Sequence, residues 1–466
     1  MKKVALVFFP IPGLGHLIST VEIAKRLLQH HPSFSITVLL MHLPVPGIGT
    51  YLHSVASSGV DIHFHNLPPP TTTAQEETDM KPEIFISLFV RAHKSLVKHA
   101  IQEIQNSTQT THVAALILDF FCTTLIDVAL QLGIPSYIYF TSGASLLALM
   151  LHLPTLHDEI KSEFSEHQGE IQVPGMLPLS PDVMPTPLES RKADGYAWFM
   201  YHAKRFREAR GIIVNTFGEL EPDLLEAITS GRRSPAIYPV GPVLGLPEQS
   251  RPESSSSLMG WLDQQPDGSV VFLCFGSLNA LSSPQIGEMA IGVEKSGHRF
   301  LWSLRCCLDG VLPEGFLGRT KGLQGMVWPS WVPQTAVLAH PAIGGFVSHC
   351  GWNSILESLW FGMPLLALPL EAEQRLNAFQ LVKDYGVALE LRREASRGGD
   401  AVVSAAEIER GVRCLMGDSE EGLEVRRKVK EVREASRKAV EEGGSSFASL
   451  ARFVDVLLAS SSDVRS

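Results

Sequence analysis

The strongest constraint on the fold is a set of short, unbroken apolar runs, each followed by a polar loop and a helical period. They read "VALVFF" (4–9), "SITVLLM" (35–41), "VAALIL" (113–118), "SYIYF" (136–140) and "GIIVN" (211–215). After residue 260 come "SVVFLCF" (269–275), "RFLWSL" (299–304), "GMVW" (325–328), "AIGGFVS" (342–348) and "PLLALPL" (364–370). A strand with one wet face alternates, whereas a run that is apolar throughout is covered on both faces. With helices between them, such runs predict parallel strands in an α/β sheet.

The pattern occurs twice, around a stretch rich in Pro, Gly and Ser, "GPVLGLPEQSRPESSSSLMG" (241–260), which reads as a linker. A chain of 466 residues is also too long for one core. We therefore expect a Rossmann-like domain over 1–240 and a second over 261–450, with 451–466 packing back on the first. The segment "LPPPTTTAQEETDMKPE" (67–83) reads as an exposed loop.

The formal net charge of −10 argues against a phosphate-backbone binder, which needs clustered Lys and Arg. The one basic stretch, "RRKVKEVREASRK" (426–438), has acidic residues interleaved and reads as a solvated helix face. Six cysteines without a C-x-x-C pair suggest a reducing compartment, and the adjacent Cys306 and Cys307 are poorly placed to bridge each other. The start, "MKKVALVFFPIPGLGHL", is broken by Pro10, Pro12 and Gly13 before it can resemble a signal peptide. No window approaches a membrane span. The expectation is a cytoplasmic monomer that binds neither nucleic acid nor membrane.

Ligands of parallel α/β sheets bind beyond the carboxyl ends of the strands, where loops and helix starts converge. "AIGGFVS" delivers His349 to that edge, Gly351 permits a tight turn, and a helix runs from about Trp352 to Gly362. Asn353, Ser354 and Glu357 share neighbouring surface near its start. The next strand brings Glu371, Glu373 and Gln374 to the same edge, "VVFLCF" brings Gly276 and Ser277, and the loop after "GMVW" brings Trp331. A helix start with neutral donors suits a phosphate, a carboxylate suits ribose hydroxyls, and an indole offers a base a flat face. Taken singly, Asn353 and Ser354 could merely cap the helix, and Glu357 could be a solvated residue. Convergence from separate strand ends favours a nucleotide site.

The first half mirrors this arrangement. His16 stands at a helix start after the first strand, Asp119 just past "VAALIL", and Thr141 past "SYIYF". Asp119 also reads well as a cap or turn residue.

Competing motifs fail. "GLGHLI" lacks the third glycine of G-x-G-x-x-G, and the second strand ends without an acidic residue, which argues against NAD. There is no G-x-S-x-G elbow, no zinc spacing and no D-x-D clamp.

From Trp331 to Gln374 the chain reads "WVPQTAVLAHPAIGGFVSHCGWNSILESLWFGMPLLALPLEAEQ". This resembles the signature box of plant secondary-metabolite UDP-glycosyltransferases, particularly members acting on flavonoids, other phenolics and terpenoids. "PIPGLGHL", "LDFFCT", "FTSGAS", "GIIVNTFGELEP" and "FGS" agree with that likeness. The resemblance implies a GT-B fold, two facing Rossmann-like domains, with the acceptor held mainly by the first and the UDP-sugar by the second. It implies that Trp331 stacks on uracil, with Val332 and Gln334 at its edge. Ser277, His349, Gly351, Asn353 and Ser354 would hold the diphosphate, and Glu357 the ribose.

Thr141, Trp352, Glu373 and Gln374 would contact the sugar. His16 would be the general base and Asp119 its partner, inverting UDP-glucose into a β-glucoside without a metal. The acceptor pocket would come from loops such as 67–90 and 176–200. Two positions depart from the family's commoner residues: Val332 replaces alanine and Glu373 replaces aspartate. Gln374 resembles glucose-using members, where histidine is associated with galactose. The alternatives are a UDP-sugar-binding protein without turnover and a transferase that uses another UDP-sugar.

Overall fold

The computed structural model describes residues 3–70, 80–106, 110–231, 234–246, 256–276, 281–305, 310–320, 325–392 and 402–462. The chain forms two compact units. The first comprises Met1–Leu244 with Lys438–Ser466, and the second Gly245–Arg437.

The first unit holds a seven-stranded sheet: β1 (Lys3–Phe9), β2 (Phe34–Leu40), β3 (Ile62–Asn66), β4 (Thr110–Asp119), β5 (Ser136–Phe140), β6 (Gly211–Val214) and β7 (Ala236–Pro239). Their order is β3-β2-β1-β4-β5-β6-β7, and every pair is parallel. On one face Leu6, Phe8, Ile36, Val38 and Ile117 pack with Val21, Ala24 and Leu27 of the helix Leu14–His30. Leu450, Phe453, Val454 and Leu457 of the helix Ser445–Ser462 complete that layer. These four recur at helical spacing, so the helix joins the first unit along its whole apolar stripe. The return to the first unit therefore falls at Arg437/Lys438, upstream of the expected 450/451.

The expected linker also begins too early. Residues 240–243 are built into the first unit: Arg26 donates to the carbonyls of Val240 and Pro242, at 3.1 and 2.6 Å. Asn215 accepts from the Val243 amide at 2.7 Å. A helix, Ser256–Leu262, already starts inside the remainder, and 247–255 lie outside the described residues. Of the expected loop 67–83, residues 71–79 lie outside them too, and a helix begins at Pro82.

The second unit repeats the theme with β8 (Val270–Cys274), β9 (Arg299–Ser303), β10 (Gly325–Trp328), β11 (Ile343–Ser348), β12 (Leu365–Ala367) and β13 (Ala388–Glu390). Their order is β10-β9-β8-β11-β12-β13, again all parallel. Strand order reverses direction between β1 and β4 in one unit and between β8 and β11 in the other. At such switch points the following loops diverge to opposite faces and leave a crevice.

Among the described residues, no helix is long and apolar enough to cross a membrane. Cys122, Cys274, Cys350 and Cys414 are buried free thiols, while Cys306 and Cys307 lie outside the described residues.

Candidate functional site

In the first unit the switch-point crevice is flanked by His16 and Asp119. His16 is the third residue of the helix that follows β1, and Asp119 closes β4, the neighbouring strand. His16 Nδ1 lies 2.6 Å from Asp119 Oδ2, and Asp119 is almost fully buried. Asp119 Oδ1 accepts from the Phe121 amide at 3.0 Å, capping the short helix Phe120–Leu125. The capping and catalytic readings of Asp119 are thus compatible, because a carboxylate has two oxygens and this one uses each differently. With Nδ1 facing a carboxylate oxygen, the hydrogen sits on Nδ1 and Nε2 carries the lone pair. The His16 side chain is 27% exposed, which gives a ligand access to it.

Thr141, expected against the sugar, has its Oγ1 3.1 Å from His16 Nδ1 and is buried at the end of β5. Its backbone leads into the helix Ala144–Glu159, whose first amides are capped by a residue from far along the chain. Glu221 is buried and accepts from Ala144 and Ser145 at 2.8 and 3.0 Å. Sequence reading missed this role, although "GELEP" was already conspicuous.

In the second unit, His349 follows β11, next to β8 at the other switch point. Its imidazole is packed between two glycines. A Cβ on Gly276 would lie 2.7 Å from His349 Nε2, and one on Gly351 2.5 Å from it. Gly351 was expected to permit a turn, but its φ of −68° is ordinary. The left-handed residue is Cys350, at φ 64°. Gly351 is thus demanded by space and not by conformation. Cys350 is held at both ends: its amide donates to Ser348 Oγ at 3.2 Å, and its carbonyl accepts from Asn377 Nδ2 at 3.0 Å. Non-glycine residues in this backbone region tend to cluster at functional sites, where surrounding structure imposes the strain. Ala372, in the loop before Glu373, is the other described example, at φ 55°.

Burial pushes the His349 imidazole down to about 4, so it is neutral at physiological pH. Nδ1 is buried without a hydrogen-bond partner among the described residues. Beside it starts the helix Trp352–Phe361, with Ser354 buried and Asn353 and Glu357 half-buried. Gln334 Nε2 donates to Ser354 Oγ at 2.9 Å and to Glu357 Oε2 at 2.6 Å. Desolvation raises the Glu357 carboxyl to about 7, only partly opposed by the Gln334 bond. Glu357 is therefore not a solvated surface residue.

Trp331 is 58% exposed and presents an uncovered indole, while Val332 beside it is buried. The Trp352 indole is also buried, at the first residue of its helix. Gln374 Oε1 accepts from Leu370 and Glu371 amides, at 2.9 and 3.0 Å, which leaves its amide NH₂ for a ligand. Glu373 immediately precedes that helix, Gln374–Phe379, without a side-chain bond to its first turn, and is half-buried. Ser277 lies outside the described residues. Arg305, unforeseen from sequence, donates to the Gly276 carbonyl and brings a cation to this edge.

Residues 245–405 match the family described as UDP-glucoronosyl and UDP-glucosyl transferase. A flavonol 3-O-glucosyltransferase of Arabidopsis thaliana, UGT71C4, is 43% identical over 97% of this chain and 98% of its own. Malvidin galactosylase UGT88C3 of Oryza sativa subsp. japonica is 44% identical over 98% of both. The crystal structure of Medicago truncatula UGT71G1 complexed with UDP-glucose is 42% identical, with a TM-score of 0.87 over 98% of both chains.

Proposed function

The chain belongs to the UDP-glycosyltransferase family of plants, with the two α/β units of a GT-B enzyme, and on that premise we propose that it transfers glucose from UDP-glucose to a hydroxyl of a flavonoid, another phenolic or a terpenoid. The observation that carries this reading is the His16–Asp119 contact of 2.6 Å. His16 Nε2 takes the acceptor proton as the hydroxyl oxygen attacks the anomeric carbon. The bond from that carbon to UDP breaks, its electron pair passing to the β-phosphate oxygen. Asp119 holds the tautomer and stabilises the imidazolium that forms. A single displacement inverts the α-linked donor and gives a β-glucoside.

The diphosphate is held by the helix start at Gly351–Ser354 and by His349, an uncharged donor. Oriented amides and dipoles at a helix start stabilise developing negative charge and so take the part a metal ion plays elsewhere. Ribose hydroxyls bind Glu357, and uracil stacks on Trp331. The sugar is read by Glu373 and Gln374. Relatives of similar identity are named as glucosyl- and galactosyl-transferring enzymes, so the donor preference rests on Gln374. The enzyme works as a cytoplasmic monomer.

A direct test combines UDP-glucose or UDP-galactose with a panel of phenolic and terpenoid alcohols in excess EDTA. Products are identified by mass and the anomeric proton coupling by NMR. β-Glucosides formed in EDTA are the expected result. Turnover restored only by magnesium or manganese removes the metal-free account, and UDP binding without any turnover leaves a UDP-sugar-binding protein.

A further inference from the structure

Behind the His16–Asp119 pair, in the same unit, lies a second histidine with no direct part in that chemistry. His202, on the helix Asp194–Arg205, is 1% exposed. Its Nδ1 lies 2.7 Å from Thr123 Oγ1 and its Nε2 3.1 Å from Ser87 Oγ. Ser87 and Thr123 are themselves fully buried. Ser87 gives its own hydrogen to the Glu83 carbonyl at 2.7 Å, so towards His202 it accepts. Nε2 therefore carries the hydrogen, Nδ1 is an acceptor, and the Thr123 hydroxyl donates to it.

Every hydrogen in this chain has one direction. Trp198 stacks on the imidazole at 5.7 Å, and Phe121 meets it edge-on at 5.8 Å. Burial beside Arg205 pushes His202 down to about 3, which keeps it neutral and the polarity of the chain unchanged.

Thr123 belongs to the short helix Phe120–Leu125, whose cap is Asp119. Through Thr123 and Ser87, His202 ties that helix to both Asp194–Arg205 and Pro82–Ala92. We propose that His202 is a positioning residue for the catalytic pair, fixing the helix that carries Asp119 so that Asp119 Oδ2 stays in reach of His16 Nδ1. The inference rests on the assignment of His16 as base. A displacement of even part of an ångström in a group that orients a base is costly, since roughly 1 Å of misplacement can lower a rate about 100-fold.

The two ring nitrogens allow the idea to be tested separately from packing. His202→Asn keeps an acceptor near the Nδ1 position and so can keep Thr123. His202→Gln keeps a donor near the Nε2 position and so can keep only Ser87. Each variant is assayed for kcat and KM with a high-pKa alcohol acceptor, for UDP affinity by calorimetry, and for Tm. Asn is expected to stay within about threefold of wild-type kcat, and Gln to lose about 10- to 100-fold with UDP affinity unchanged. In an Asp119→Asn background the Gln change should have no further effect on kcat.

Equal losses in both variants, tracking Tm, would reduce His202 to packing and overturn the proposal. So would an undiminished Gln variant, or a Gln loss that persists in the Asp119→Asn background. If the wild-type protein shows no turnover at all, it is the transferase reading that has failed.

Discussion

The two switch points of this chain each carry a histidine, and the two are opposites. His16 is partly exposed and bonded through Nδ1 to a buried carboxylate. His349 is 8% exposed, flanked by two glycines and far down in pKa through burial. In the proposed mechanism the first gains a proton during the reaction, with the Asp119 carboxylate bonded to its Nδ1. The other is arranged never to gain one, because no described carboxylate bonds to it and desolvation opposes charge. Residue type and strand-end position are alike; partner and burial divide the roles.

The contrast is broken most sharply at His16. His16→Ala should lower turnover of an alcohol acceptor by about 10²- to 10⁴-fold while leaving UDP affinity unchanged. Asp119→Asn should also be severe, since an amide can favour the wrong tautomer, and the two losses should not add. A phenol that ionises near neutral pH should retain more activity in His16→Ala. Rates near wild type on alcohols, in a folded variant that binds UDP, would end the assignment.

The complementary break is Gly351→Ala, which sets a methyl carbon 2.5 Å from His349 Nε2, too close for the ring to stay in place. Displacing that donor should weaken UDP binding by roughly 10- to 100-fold, the worth of a hydrogen bond to a charged group. Gly287→Ala, whose Cβ would meet nothing within 4 Å, is the control for a glycine change elsewhere in the unit. Calorimetric titration with UDP decides between them, and equal affinities would show that His349 does not hold the diphosphate.

A smaller effect should follow pH at Glu357. Its folded carboxyl sits near 7 against an ordinary 4.5, so the folded state holds the proton more tightly. That contribution to stability is fully present below about 4.5 and lost as pH rises through about 7. Glu357→Gln should therefore raise Tm at pH 8, by the equivalent of about 1–3 kcal/mol, yet bind UDP more weakly. Wild-type UDP affinity should rise about three- to tenfold between pH 6 and 8 as the carboxylate forms. The variant should lose the part of that slope due to Glu357, a comparison that also removes the ligand's own titration.

The smallest change is expected at Gln374. Gln374→Asn should cost roughly 0.5–1.5 kcal/mol in UDP-glucose turnover, about two- to tenfold, with UDP binding little altered. Because Gln374 Oε1 also holds the Leu370 and Glu371 amides, a fall in UDP affinity to match would mean that the loop, not the sugar contact, had been lost.

Ten strands were legible as apolar runs. The three that were not, β3, β7 and β13, all lie at sheet edges. An edge strand is short or only part-covered, as the mixed burial of "IHFHN" in β3 shows, and so lacks the continuous apolar signature. The end of the first unit was misread for a related reason. "GPVL" has the composition of a linker, but Arg26 and Asn215 lie far away in sequence and satisfy its backbone. His202 was equally invisible, one of 17 histidines whose partners come from two other helices.

What the sequence determined by itself is where chemistry gathers. Continuous apolar runs require parallel sheets, parallel sheets send their loops to one edge, and the box from Trp331 to Gln374 supplies that edge with residues suited to a nucleotide. What only tertiary structure decided is the state of each group there. Thr141 stands beside His16 Nδ1, Gly351 makes room for an imidazole, Gln334 bridges Ser354 and Glu357, and Glu357 titrates near 7. Charge, tautomer and reach depend on desolvation and on partners brought together from distant parts of the chain, and neither exists until the chain has packed.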